Sequence, residues 1–192
     1  MDIVASVAKI ALTVSLSVTF ATIAYNHRKR LVAYRQISWL LMIQCLLVIV
    51  GVVVVATTLM VWLPTPMSWS WLSLFGSSGT NLNTVGSTIP YYGIVFCAVL
   101  FLALPELARI EEEMFRKGTT SWLNALKRST VFGLTHMLSG VSLGIAIGLI
   151  VAGLFFSHKY FKGGVELSTQ AHFQYNVIAI SLLTVSAIIM VF

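Results

Sequence analysis

Charge is scarce in this chain. Only 9% of its 192 residues are charged, where ordinary soluble domains carry about 25%. Acids are scarcer than bases, six Asp and Glu against twelve Lys and Arg. With 58% hydrophobic residues and a mean hydropathy of +0.92, this shortage excludes an ordinary soluble domain and reads as one polytopic membrane domain. Cysteine is nearly missing. Cys45 and Cys97 both lie inside apolar runs, which predicts buried, reduced thiols. No basic patch interleaves with aromatics on a polar face, so the net charge of +6 indicates no nucleic-acid partner; the bases sit in short loops between apolar runs. No internal repeat or low-complexity tract is present. The N-terminus carries Asp2 and no basic run, which predicts a retained first span rather than a cleaved signal peptide.

What is there is a series of apolar helices. A first span is expected at about Ile3 to Tyr25, closing on Asn26-His27-Arg28-Lys29-Arg30, and a second at about Ile37 to Leu63, with Trp39 and Trp62 near its ends where amphipathic rings prefer to sit. These form an N-terminal helical pair, about 3–63. Pro64-Thr65-Pro66 stops the second span. The stretch from Pro64 to Pro90 holds no Lys, Arg, Asp or Glu. Its first half, Met67 to Phe75, is expected in the interface, and its Gly/Ser/Thr/Asn-rich second half is expected to be a mobile loop. A third span starts at Tyr91-Tyr92 and leaves the bilayer at Arg116-Lys117-Gly118. Thr119 to Leu138 begins as an amphipathic surface helix and then dips inward. Val141 to Ser157 is a further apolar helix whose Gly144, Gly148 and Gly153 offer close packing faces. His158 to Gly164 reads as a turn, and Leu167 to Phe192 as the last span.

Topology turns on Val131 to Ser157. A break near Ser139-Gly140 gives about six membrane-embedded helices and puts Arg28, Lys29, Arg30, Arg35, Arg116, Lys117, Lys127, Arg128, Lys159 and Lys162 on one side, as the positive-inside rule asks. The fold expected is therefore all-α, a polytopic membrane helical bundle with a single transmembrane domain over 1–192, its motif-bearing core at about 91–192, and both termini outside.

Four of the six carboxylates fall between Pro105 and Arg116. Charge at membrane depth costs roughly 2.5–3.5 kcal/mol per residue on the gentlest scale, so such a concentration points to use. Glu112 and Arg116 are four apart in the favoured orientation, which lets the arginine hold that carboxylate ionised. Glu111, about 100° round the helix, is free to point elsewhere. Further on come Phe132-x-x-x-His136 and His172-x-x-x-Asn176. In each the two residues share a helical face: Phe132 can wall off His136, and His172 projects beside a neutral amide that can donate a hydrogen bond. Five polar groups on three apolar segments would otherwise each need separate compensation. One shared site is the simpler reading.

The three motifs Glu111-Glu112-x-x-x-Arg116, Phe132-x-x-x-His136 and His172-x-x-x-Asn176, in this order, resemble those of the CPBP family, which includes CAAX prenyl proteases, bacteriocin-processing intramembrane proteases and Abi-like proteins. The match runs from about Pro105 to Asn176, with thirty-six residues from His136 to His172. Two departures stand out: Lys117, where many members have Gly after the arginine, and a short connection from Arg116 to Phe132. The resemblance implies a multi-pass cell-membrane endopeptidase. It would hydrolyse a peptide bond of a prenylated or leader-bearing protein or peptide, with lipid and substrate as its partners; the six-segment topology puts the catalytic opening on the cytoplasmic side.

The residues themselves are consistent with that chemistry, which needs an activated water and a stabilised oxyanion. Glu111 is the expected general base and His136 orients the water. His172 and Asn176 face the oxyanion, while Glu112 and Arg116 fix the helix end. Two His and a carboxylate, His136, His172 and Glu111, are also a recognised Zn²⁺ ligand set, but they come from three helices without the one-helix spacing of HExxH. A metal-free glutamate/histidine mechanism fits equally well. Two rivals belong to other classes: a small proton- or cation-coupled transporter using the carboxylate/His cluster, and a non-catalytic immunity-type relative. The site also sets a geometric demand, since His136 lies about 25 Å along a helix counted from Thr119 while His172 is expected a turn or so into its own.

Overall fold

The computed structural model describes residues 33–71 and 92–191, with the single positions Ile10, Val14, Ser17, Val18 and Ala21 before them. The first expected span and the Gly/Ser-rich loop therefore lie outside the described residues, apart from those single positions. Within the described residues every regular element is helical and there is no strand.

Helix α1, Trp39–Trp62, is apolar on every side. It buries only a seam, Leu41, Cys45, Val52 and Ala56, whose spacing of whole helical turns keeps these residues on one face. Trp39, Leu40, Val61 and Trp62 stay exposed. Leu63 breaks the helix at φ −133°, ψ 64°, and Pro64 then starts a single further turn, α2 (Pro64–Met67), a first position that proline tolerates because its missing N–H has no helical partner there. The prolines thus end one helix and begin another. The chain beyond α2 is pinned to the bundle. The Ser70 hydroxyl donates to the Gly140 carbonyl at 2.9 Å, and the Leu143 N–H donates to the Trp69 carbonyl at 2.9 Å.

Helix α3, Tyr92–Phe115, runs through Pro105. Proline cannot donate to the carbonyl four residues back, which here belongs to Phe101. The Tyr34 hydroxyl donates to that carbonyl instead, and its ring stacks on Phe101 at 5.6 Å and meets Phe173 edge-on at 4.9 Å. Helix α4, Trp122–Thr135, is capped by Ser121, whose hydroxyl accepts from the Asn124 N–H at 3.2 Å, the usual remedy for an unpaired first-turn donor. It tightens into a 3₁₀ turn, His136–Ser139, and stops at Gly140 with φ 87°. The break near Ser139-Gly140 is present.

The last element, α5, is continuous in pattern from Leu143 to Val191 but non-helical at Gly163 (φ −151°) and Gly164 (φ 66°, ψ −162°). The Gly164 conformation is open essentially to glycine alone. Sixteen residues of straight helix would separate Phe156 from His172 by about 24 Å, yet their rings stack at 4.4 Å. The chain therefore folds back at the two glycines into two arms, 143–162 and 165–191. The turn expected over His158 to Gly164 is confined to its last two residues; His158 to Lys162 are helical, because only the glycines leave the helical region.

This hairpin is the centre of the bundle. Helix α4 runs antiparallel to the first arm, with Trp122 against Phe161 and Ser129 against Gly153. Helix α1 lies along the same arm, where Gly148 meets Val52 and Gly144 meets Met60; the three glycines do provide the close faces expected of them. Helix α3 packs Cys97, Leu104 and Ala108 against Phe173, Val177 and Ile180 of the second arm. Both cysteines are buried and unbridged, and the Cys45 thiol donates to the Ala171 carbonyl at 3.3 Å. Among the described residues, two helical stretches are long and apolar enough to cross a membrane, Trp39–Trp62 and Leu143–Ser186, the second of which spans both arms of α5.

Candidate functional site

The end of α3, the end of α4 and the start of the second arm of α5 converge on Glu112. This carboxylate is wholly buried, as is Arg116. One helical turn separates them, and Arg116 Nε lies 3.6 Å from Glu112 Oε2. Ser168 donates its hydroxyl to the same oxygen. The other oxygen, Oε1, lies 2.9 Å from His172 Nδ1. A buried carboxylate is costly unless its lone pairs are met. Here Ser168 and His172 meet them, and the Arg116 guanidinium faces the carboxylate at ion-pair distance.

Arg116 stands just beyond the last residue of α3, with its guanidinium over the Phe132 ring at 4.9 Å and 6.0 Å from that of Phe156. Burial pushes its pKa below the ordinary arginine value, and the carboxylates of Glu112 and then Glu111 oppose that shift.

His172 is almost fully buried and is held on every side. Phe156 stacks on its face at 4.4 Å, and Phe132 presents to it edge-on at 5.5 Å. Its Nε2 lies 3.5 Å from Glu111 Oε2. The imidazole thus bridges the two glutamates, Nδ1 to Glu112 and Nε2 to Glu111. Of these two acids only Glu111 reaches solvent, with 30% of its side chain exposed. Nδ1 is within hydrogen-bond distance of Glu112, whereas Nε2 and Glu111 Oε2 face each other at ion-pair distance without a hydrogen bond.

His136 caps the end of α4, half-buried, with Nδ1 on the Phe132 carbonyl at 2.8 Å. Its ring meets Phe132 at 4.6 Å. Both imidazoles touch the same phenyl ring, so their centres are within about 10 Å of each other. The geometric demand is met: His136 at the end of the 14-residue α4 and His172, about 12 Å of helix rise beyond Gly164, both reach the Phe132 ring. Asn176 follows one turn after His172, half-buried. Glu111, Glu112, Arg116, Phe132, His136 and His172 are therefore brought into one neighbourhood.

Two members of the cluster were not singled out by the motifs. Ser168 is one turn before His172, so that Ser168, His172 and Asn176 form a stripe four residues apart; that spacing was the available signal. Phe156 gave none, being one aromatic in a long apolar run. Among the described residues no three His, Cys, Asp or Glu side chains are gathered closely enough to hold a metal ion. The Glu111, His136 and His172 set is dispersed around Phe132, and His172 has a carboxylate at each nitrogen. A separate cleft of about 760 Å³ opens between α3 and the second arm, bordered by Gln36, Arg109, Lys117, Glu166 and Gln174, and none of the cluster lines it.

Comparison with protein-family models, with curated proteins and with solved structures gave no match to this chain.

Proposed function

We propose that the chain is an intramembrane endopeptidase that hydrolyses a peptide bond of a prenylated or leader-bearing protein or peptide through water activated by glutamate and histidine. The observation that carries this reading is the imidazole of His172 set between a buried, arginine-paired Glu112 and a solvent-reaching Glu111. Such an arrangement orients one imidazole and leaves one carboxylate available to take a proton, which is what a general base requires. The resemblance of the three motifs to the CPBP family supports the same class.

In the proposed reaction Glu111 takes a proton from water as the water oxygen attacks the scissile carbonyl carbon. Asn176, one helical turn after His172, donates to the oxyanion in this proposal, and His136, with Nδ1 on the Phe132 carbonyl, offers Nε2 to the water. Collapse of the intermediate breaks the C–N bond, and the proton held by Glu111 and His172 leaves with the amine. No step requires a metal. The chain is proposed to embed six segments in the cell membrane, both termini outside, with the site opening towards the cytoplasm.

The test is incubation of the purified protein with a library of prenylated and leader-bearing peptides. Wild type is expected to cleave at least one peptide, and Glu111→Gln to lose about 10²–10⁴-fold in rate while unfolding at the same temperature. Equal cleavage by the variant overturns the site. Glu111-dependent proton flux into liposomes without cleavage overturns the peptidase reading in favour of transport. A chelator series with zinc add-back, in protein that stays folded, decides metal dependence.

A further inference from the structure

We propose that Ser168 is a positioning residue that sets which nitrogen of His172 carries the proton. Its contribution to rate rests on the endopeptidase reading; its effect on the imidazole does not. A serine inside a helix ordinarily turns its hydroxyl back to its own backbone, as Ser157 does to the Gly153 carbonyl at 2.9 Å and Thr184 to the Ile180 carbonyl at 2.7 Å. Ser168 does not. Its hydroxyl leaves its own helix and crosses to Glu112 Oε2 on α3.

That bond divides the carboxylate. With Oε2 occupied by Ser168, and by Arg116 only at 3.6 Å, Oε1 is left directed at His172 Nδ1 at 2.9 Å. The carboxylate can only accept there, so Nδ1 bears the proton, while Nε2 makes no hydrogen bond to Glu111 Oε2 at 3.5 Å. Without the hydroxyl, the nearest donor to Oε2 is an arginine beyond hydrogen-bond reach. Glu112 then turns towards the guanidinium and releases Nδ1. Ser168 is wholly buried and touches no solvent, so its influence passes through Glu112 and His172 and not through a substrate.

The experiment uses full-length protein, ¹⁵N-labelled at its histidines, in detergent micelles, with the His172 signals assigned from the spectrum of His172→Gln. In wild type, neutral His172 is expected to show its proton on Nδ1. Ser168→Ala and the near-isosteric Ser168→Cys are expected to give a mixture of the two tautomers, and Ser168→Thr, which keeps the hydroxyl, to retain the wild-type pattern. With a cleaved peptide as probe, the two loss variants are expected to lower kcat about tenfold, the loss of one hydrogen bond to a charged group, with KM unchanged. A wild-type proton on Nε2, or wild-type tautomer signals in both loss variants, overturns the proposal. If wild type cleaves no peptide, the endopeptidase reading fails while the imidazole spectra still decide the role of Ser168.

Discussion

The Phe101 carbonyl and the Glu112 carboxylate meet related difficulties. Each is a polar group inside an apolar bundle that its own helix leaves short of a donor, and a hydroxyl from elsewhere in the chain supplies it. Pro105 removes one backbone donor from α3, and the Tyr34 hydroxyl replaces it at the Phe101 carbonyl. Tyr34→Phe keeps both ring contacts and deletes only that donor, so it is expected to destabilise by about 1–3 kcal/mol, the cost of an unmet buried acceptor. Pro105→Ala restores an N–H at the right position, and in that background Tyr34→Phe is expected to be nearly neutral. Denaturant unfolding of the four proteins in detergent measures the coupling, and simple additivity would refute the pairing. At this scale the sequence was partly legible. The Glu112–Arg116 pair follows from spacing alone, because partners four apart on a helix meet whatever else the fold does. The Tyr34–Phe101 and Ser168–Glu112 bonds do not, since each joins residues more than fifty positions apart, and local spacing carries no information about such crossings.

Among the elements, α4 has the least freedom. An added Cβ at Gly133 would stand 2.2 Å from the Ala146 carbonyl oxygen, a backbone atom that cannot swing aside. Gly133→Ala is therefore expected to force α4 off the first arm of α5, carrying Phe132 and His136 with it. The expected cost is about 1–3 kcal/mol or more from overpacking, with loss of whatever activity depends on His136. Gly51→Ala is the control. Its nearest neighbour is Val151 Cγ1 at 3.7 Å, an ordinary contact, so the better helix propensity of alanine should stabilise it by about 0.5–1 kcal/mol. Equal melting shifts for the two variants would show that the α4–α5 contact is looser than described. The break at Ser139-Gly140 was legible because small residues interrupt an apolar run there. The stretch His158 to Lys162 was misread because its charge and polarity resemble a loop. Lysine, histidine and tyrosine are tolerated in a helix, and the reversal needed only the two glycines that follow.

For the molecule as a whole, the two ends of the bundle differ in kind. At one end lie the contacts of Lys159 with Gln44, Tyr160 with Gly118 and Arg128 with Lys117, so Lys117, Arg128 and Lys159 are gathered there. At the other, Ser70 meets Gly140 and Trp69 meets Leu143, among residues without charge. Between them α1 turns outward Leu40, Leu47 and Val61, each more than half exposed, a surface suited to lipid. All-helical architecture was legible from composition and run length, and so was the reversal at the centre, since a polar stretch ending in Gly163-Gly164 separates two apolar runs there; the dihedrals of those two glycines mark where the chain turns. If the basic end faces the cytoplasm, a membrane-impermeant maleimide added to intact cells should label Ser68→Cys and leave Lys162→Cys untouched until the membrane is opened. The native thiols give little background, Cys45 being 0% and Cys97 5% exposed. Labelling of Lys162→Cys from outside would invert the orientation. Equal labelling of both positions in intact cells would mean that the two ends of the bundle are not separated by a bilayer, and the proposed membrane embedding would fall with it.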